Sequence, residues 1–156
     1  MIGIIIATVI MAVYIGWYLC RHGVPFSLSR TVYKLPHEVL FTLTLYAVAF
    51  LTVIPMMDAC NEDTKILAFL TMASIAFVGA APLGRNCDER VHIGAAILFG
   101  VSSQLMIALN QPELLFGWIP GLLFIIFIDR LEHWLFLVEL VCIVDTLIFC
   151  LLPKII

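Results

Sequence analysis

MIGIIIATVIMAVYIGWYLC, residues 1–20, contains no charged side chain. Wound as an α-helix it would be about 30 Å long, the thickness of a bilayer's hydrocarbon core. A cleaved signal peptide would carry a positive charge ahead of a shorter apolar stretch of about seven to fifteen residues, so the spacing predicts a retained first span. Trp17 and Tyr18 near its end suit the headgroup boundary.

The rest of the chain repeats this character. Of 156 residues, 63% are hydrophobic and 12% charged, against about half and about a quarter in a soluble domain. With a mean hydropathy of +1.14, this composition excludes a water-soluble enzyme and a disordered chain. A net charge of −3, from 8 basic and 11 acidic residues, provides no basic surface for nucleic acid. Five cysteines without CxxC spacing argue against a disulfide scaffold, and Cys142 and Cys150 lie in an apolar run where cysteine acts as a small hydrophobe.

Outward from the first run, the polar segment 21–34 reads as an interfacial piece. Pro36 fits the first turn of a second span over 37–57, whose last turn Pro55 weakens. A third span over 65–82 and a fourth over 91–109 are rich in small residues, among them Gly79, Gly94 and Gly100, which predicts close helix packing. The run 114–130 is short: its fifteen apolar residues make only about 22 Å of helix, so it crosses with Arg130 snorkelling or folds back as a re-entrant segment. A last span covers 131–152. The expected fold is thus an all-α integral membrane bundle of six transmembrane helices in one polytopic domain, or five with one re-entrant segment.

Six of the eight basic residues, Arg21, Arg30, Lys34, Arg85, Arg90 and Arg130, fall in the first, third and fifth loops. The positive-inside rule makes those loops cytoplasmic, in a bacterial inner membrane, and puts both termini on the other side. The partners expected are the lipid bilayer and, through the small-residue faces, further copies of the chain.

All four histidines fall on that same side. Asp88 precedes His92, and Asp129 precedes His133, by four residues, which on a helix brings each pair to one face. With His37 they could hold zinc and activate water against a lipid headgroup. The stronger reading needs no metal: acids in a first turn complement the helix dipole, and histidine tolerates the interface. No GxSxG, HExxH, Walker A or GxGxxG pattern is present, and histidines at helix ends suit haem poorly.

Glu139 and Asp145 lie within the last run, where even low estimates put a central acid at about 2.5 to 3.5 kcal/mol. Such groups turn toward the bundle, water or another subunit. Helical spacing places Glu139 on a stripe with Phe136 and Ile143, and Asp145 about 120° away. His92, Ala96, Phe99, Ser103, Met106 and Asn110 form a second stripe on the fourth span, with Gln104 beside it. The functional reading is a partly hydrated pathway for protons or small cations lined by Glu139, Asp145, Ser103, Gln104 and Asn110. The alternative is hydrogen-bonded glue between helices, worth roughly 0.6 to 2 kcal/mol per bond.

The segments Pro25-Phe26-Ser27-Leu28-Ser29, Phe77-Val78-Gly79-Ala80-Ala81-Pro82 and Val91-His92-Ile93-Gly94-Ala95 resemble parts of small multi-pass membrane proteins of gut bacteria and their phages. The resemblance extends over much of the chain. It implies membrane residence and a mobile-element setting, and brings no activity. The histidine set is also distantly similar to membrane ceramidase-like hydrolases. This chain is shorter and lacks their serine and histidine motifs, so no residue role transfers.

Three expectations follow: a non-enzymatic channel, pore or transporter-like module without cofactor; a zinc-dependent hydrolase of lipid headgroups using His37, His92 and His133 with Asp88 or Asp129; or a phage-linked lysis, exclusion or host-interaction factor.

Overall fold

In hydrocarbon a backbone must bond to itself, so each uninterrupted apolar run closes into a helix. The computed structural model describes residues 2–35, 39–80, 89–127 and 131–152, the side chains of Tyr33 and Glu89 excepted, and among them all regular structure is helical. The long elements are α1 (Ile2–His22), α2 (Val39–Ala59), α3 (Lys65–Ala80), α4 (Glu89–Asn110) and α6 (Trp134–Leu151), with the shorter α5 (Trp118–Phe127). Among the described residues three 3-10 helices intervene: η1 (Ser29–Lys34), η2 (Glu62–Thr64) and η3 (Pro112–Gly117). Among the described residues five helices are long and apolar enough to cross a membrane, and the segment Pro112–Phe127 is shorter.

Successive helices run antiparallel. At one end Asn110 Oδ1, closing α4, accepts from the Asn61 amide at 2.8 Å and the Thr64 hydroxyl at 3.0 Å. At the other, the Phe136 amide in the first turn of α6 donates to the Phe26 carbonyl at 3.1 Å. That amide belongs to the helix-end donors that lack an intrahelical partner, so the loop after α1 caps α6.

Packing arranges α1, α2, α3, α4 and α6 in a closed ring, each touching the next, with α6 packed on α2 as well as on α1. Small and hydroxyl side chains mark the seams. Thr42 donates to the Gly79 carbonyl at 2.7 Å between α2 and α3, and Thr71 and Ser102 share a 2.9 Å bond between α3 and α4. Helix α5 stands outside the ring on α6, with Ile125 its one buried residue.

Three expectations need correction. Helix α2 runs past Pro55 to Ala59 instead of ending at 57, and α1 comes close at the proline: a Cβ on Gly3 would lie 2.8 Å from the Leu51 carbonyl oxygen, the acceptor whose N–H partner Pro55 lacks. Gly94 and Gly100 have nothing within 4 Å of where a Cβ would stand; they lie off the face of α4 that carries Ala95, Ser102 and Ser103 into the bundle. The last helix begins at Trp134, not 131, because Leu131 takes a left-handed φ of 65° and its amide turns back to the Ile125 carbonyl at 3.2 Å.

The fifth segment is longer than its residue count suggests. Pro112 opens η3, whose six residues rise about 2.0 Å each. With the ten residues of α5 at about 1.5 Å each, the rod reaches about 27 Å, close to the roughly 30 Å core.

Candidate functional site

The two acids of the last helix face different surroundings, as their angular separation requires. Glu139 stands in the second turn of α6, on the face shared with buried Phe136 and Ile143. Its Oε2 accepts the backbone N–H of Leu28 at 2.5 Å. Leu28 belongs to the polar segment after α1, which turns inward: Ser27, Leu28, Thr31 and Val32 are all buried. A second tie holds this segment. The Thr31 hydroxyl donates to the Leu28 carbonyl at 2.6 Å, so in its 2.5 Å bond with Tyr14 the tyrosine is the donor.

Beneath Leu28 and Ser29 lies a cavity of about 60 Å³ inside the five-helix ring. By the same measure a single water needs roughly 10 to 15 Å³. Its wall is almost wholly hydrocarbon from α1, α2, α3, α4 and α6; Glu139, Ser29, Thr52 and Thr146 are among the residues around it but turn hardly any oxygen surface toward it. Glu139 is the one ionisable group among them. Ala96 and Phe99, from the stripe read on the fourth span, reach this wall.

Asp145 points elsewhere. It is 5% exposed and lies against Gly117, where a Cβ would stand 3.0 Å from its Oδ1. Its Oδ2 meets no hydrogen-bond partner among the described residues. Gly121, one turn on, faces Val141 just as closely, so the end of η3 and the start of α5 together lay a two-glycine face along α6. Next to Gly117, the Trp118 indole N–H donates to Gln104 Oε1 at 2.8 Å. The amide nitrogens of Gln104 and Gln111 are also buried without a hydrogen-bond partner among the described residues.

The five pathway residues are therefore not gathered on one channel. Glu139 reaches the cavity. Asp145 and Gln104 meet α5 and its entrance. Ser103 is fully buried and bonds back to the Gly100 carbonyl at 3.1 Å. Asn110 fastens the end of α4 to the α2–α3 turn, its own amide donating to the Met106 carbonyl at 2.7 Å.

Of the zinc set, His37, Asp88 and Asp129 lie outside the described residues. His92 is half-buried in the first turn of α4. His133 is the residue ahead of α6, with φ −121°. Among the described residues no three His, Cys, Asp or Glu side chains are grouped to hold a metal ion.

Sequence reasoning missed the Leu28 amide, which has no side-chain signature, and the Gly117 and Gly121 pair, whose four-residue spacing in an apolar run is a readable packing signal. No protein-family model matches the chain, and comparison with curated proteins and with solved structures gave no match.

Proposed function

We propose that this chain is a small transporter-like membrane module that passes protons or small cations, with Glu139 as the group that holds the ion partway. The observation that carries this reading is a membrane-depth acid, Glu139, among the residues around a half-open pocket lined from five helices. Ionisable groups are costly at membrane depth and persist where they contact an ion, a proton or water. Glu139 sits where such an occupant would have room, and Asp145 does not. The basic loops place the Leu28 end of the cavity toward the cytoplasm of a bacterial inner membrane by the positive-inside rule.

The test is flux into liposomes containing a pH-sensitive or cation-sensitive dye under an imposed potential. Wild-type protein should conduct, Glu139→Gln should fall to the level of protein-free liposomes, and Asp145→Asn should retain flux. Equal flux from wild type and Glu139→Gln, or none from wild type, refutes the reading. Orientation is checked with single cysteines at Gly23 and Asp63: a membrane-impermeant thiol reagent added to whole cells should label the second and spare the first.

A further inference from the structure

The pocket beneath Leu28 presents carbon, and the polar groups around it are already engaged. The Thr52 hydroxyl donates back to the Val48 carbonyl and the Thr146 hydroxyl to the Cys142 carbonyl, each at 2.7 Å. Glu139 Oε2 accepts the Leu28 amide at 2.5 Å. Among the described residues, none of the buried polar atoms that lack a partner belongs to this lining. An enclosed water needs about two to four polar partners, and an apolar cavity without them stays dry and takes hydrocarbon.

Size and access select the hydrocarbon. The space is about 60 Å³, well under the roughly 150 Å³ of an apolar cavity that holds a benzene ring. A ring or sterol is therefore excluded, and the free end of one alkyl chain fits. Because the pocket is half-open, the rest of such a chain runs out of it. Met11 and Met72 stand in the lining, and unbranched methionine side chains adjust to an irregular occupant. Charge then selects the head. Leu28 and Ser29 belong to the segment 21–34, which carries Arg21, Arg30 and Lys34 and no acid. Leu28 is buried toward the pocket while Arg30 and Lys34 are exposed, with the Arg30 guanidinium resting 5.0 Å from the centre of the Phe26 ring. Basic side chains at a lipid surface favour anionic headgroups.

We infer that this pocket is a binding site for an anionic phospholipid, with the end of one acyl chain among Met72, Ile75 and Phe99 and the phosphate headgroup against Arg30 and Lys34. The second acyl chain stays in the surrounding bilayer. This assignment does not rest on the transport reading, because no step of it requires an ion to pass.

Photocrosslinking of the full chain in phosphatidylcholine vesicles tests this, with a trace of phosphatidylglycerol carrying a diazirine at the end of one acyl chain and the adducts mapped by mass spectrometry. Wild type should form adducts on Met72 and Phe99 as well as on the exposed Phe50 and Phe69. Excess unlabelled phosphatidylglycerol should suppress the pocket adducts far more than the same excess of phosphatidylcholine, while the exposed positions make no such distinction. Arg30→Gln and Lys34→Gln should each reduce that preference about fivefold, the scale of one basic side chain at a lipid surface. Ala96→Leu, which fills the pocket, should lose the pocket adducts and keep those at Phe50 and Phe69. If it does not fold, the two variants at exposed positions keep the test decisive. Adducts at the exposed positions alone, equal suppression by the two lipids, a preference unchanged in both basic-residue variants, or full pocket labelling of folded Ala96→Leu overturns the inference. Absence of ion flux leaves it standing, and loss of the pocket adducts leaves the transport reading standing.

Discussion

Gly3 shows how one hydrogen atom in place of a methyl shapes a helix contact. Pro55 removes the N–H that would have bonded the Leu51 carbonyl, and in lipid such an acceptor lacks water as a substitute. Helix α1 brings Gly3 to that oxygen, at a distance where a Cβ would lie only 2.8 Å away. A Cα–H facing a carbonyl contributes perhaps a few tenths of a kcal/mol to about 1 kcal/mol. Gly3→Val should therefore lower the thermal midpoint in detergent, at a cost of about 1 to 3 kcal/mol from overpacking. Gly16→Ala, with nothing within 4 Å of its Cβ, should leave it unchanged or raise it. Equal midpoints for the two variants would count against a close contact at Gly3. The inward turn of Glu139 could be read from the sequence, because a carboxylate at that depth has few places to go. Its partner could not, since Leu28 is 111 positions away and contributes only a backbone amide.

At the scale of elements, the fifth segment was the least legible. Its apolar run is too short for an ordinary α-helical span, and sequence periodicity does not announce that Pro112 opens a 3-10 stretch with a longer rise per residue. The boundaries of α1 and α4 were readable to within a residue or two because they rest on long uncharged runs. The start of α6 was not, because the reversal at Leu131 depends on a backbone angle that leucine seldom adopts. Since α5 is held by Gly117 and Gly121 against Asp145 and Val141, Gly121→Leu should push α5 off α6 while the ring stays closed. Protease sensitivity between 111 and 131 should rise with helicity by circular dichroism almost unchanged. An unaltered digestion pattern would show that the glycine face is not what docks α5.

For the molecule as a whole, the ties lie at two ends of one ring and should act independently. Thr42 bonds Gly79 near the start of α2, and Asn110 bonds Asn61 and Thr64 near the end of α4. Thr42→Val and Asn110→Ala should each cost about 1 kcal/mol or somewhat more, and their effects should add within about 0.5 kcal/mol. Tyr14→Phe and Thr31→Val remove the two halves of one bond, so the double variant should cost clearly less than their sum. Unfolding free energies in mixed detergent report both comparisons, and the reverse pattern would contradict the wiring described. The all-helical membrane architecture was legible throughout, because hydrocarbon leaves the backbone so few choices.

The ring is completed by α6, which follows the other four walls along the chain. During synthesis α1 through α4 can enter the bilayer while their inner face still meets acyl chains and the Leu28 amide has no carboxylate to find. Insertion of residues 134–151 supplies both the missing wall and the acid. A ribosome that stalls before them releases a half-built bundle, with the inner faces of four helices left against lipid and the Leu28 amide on display to membrane quality-control proteases.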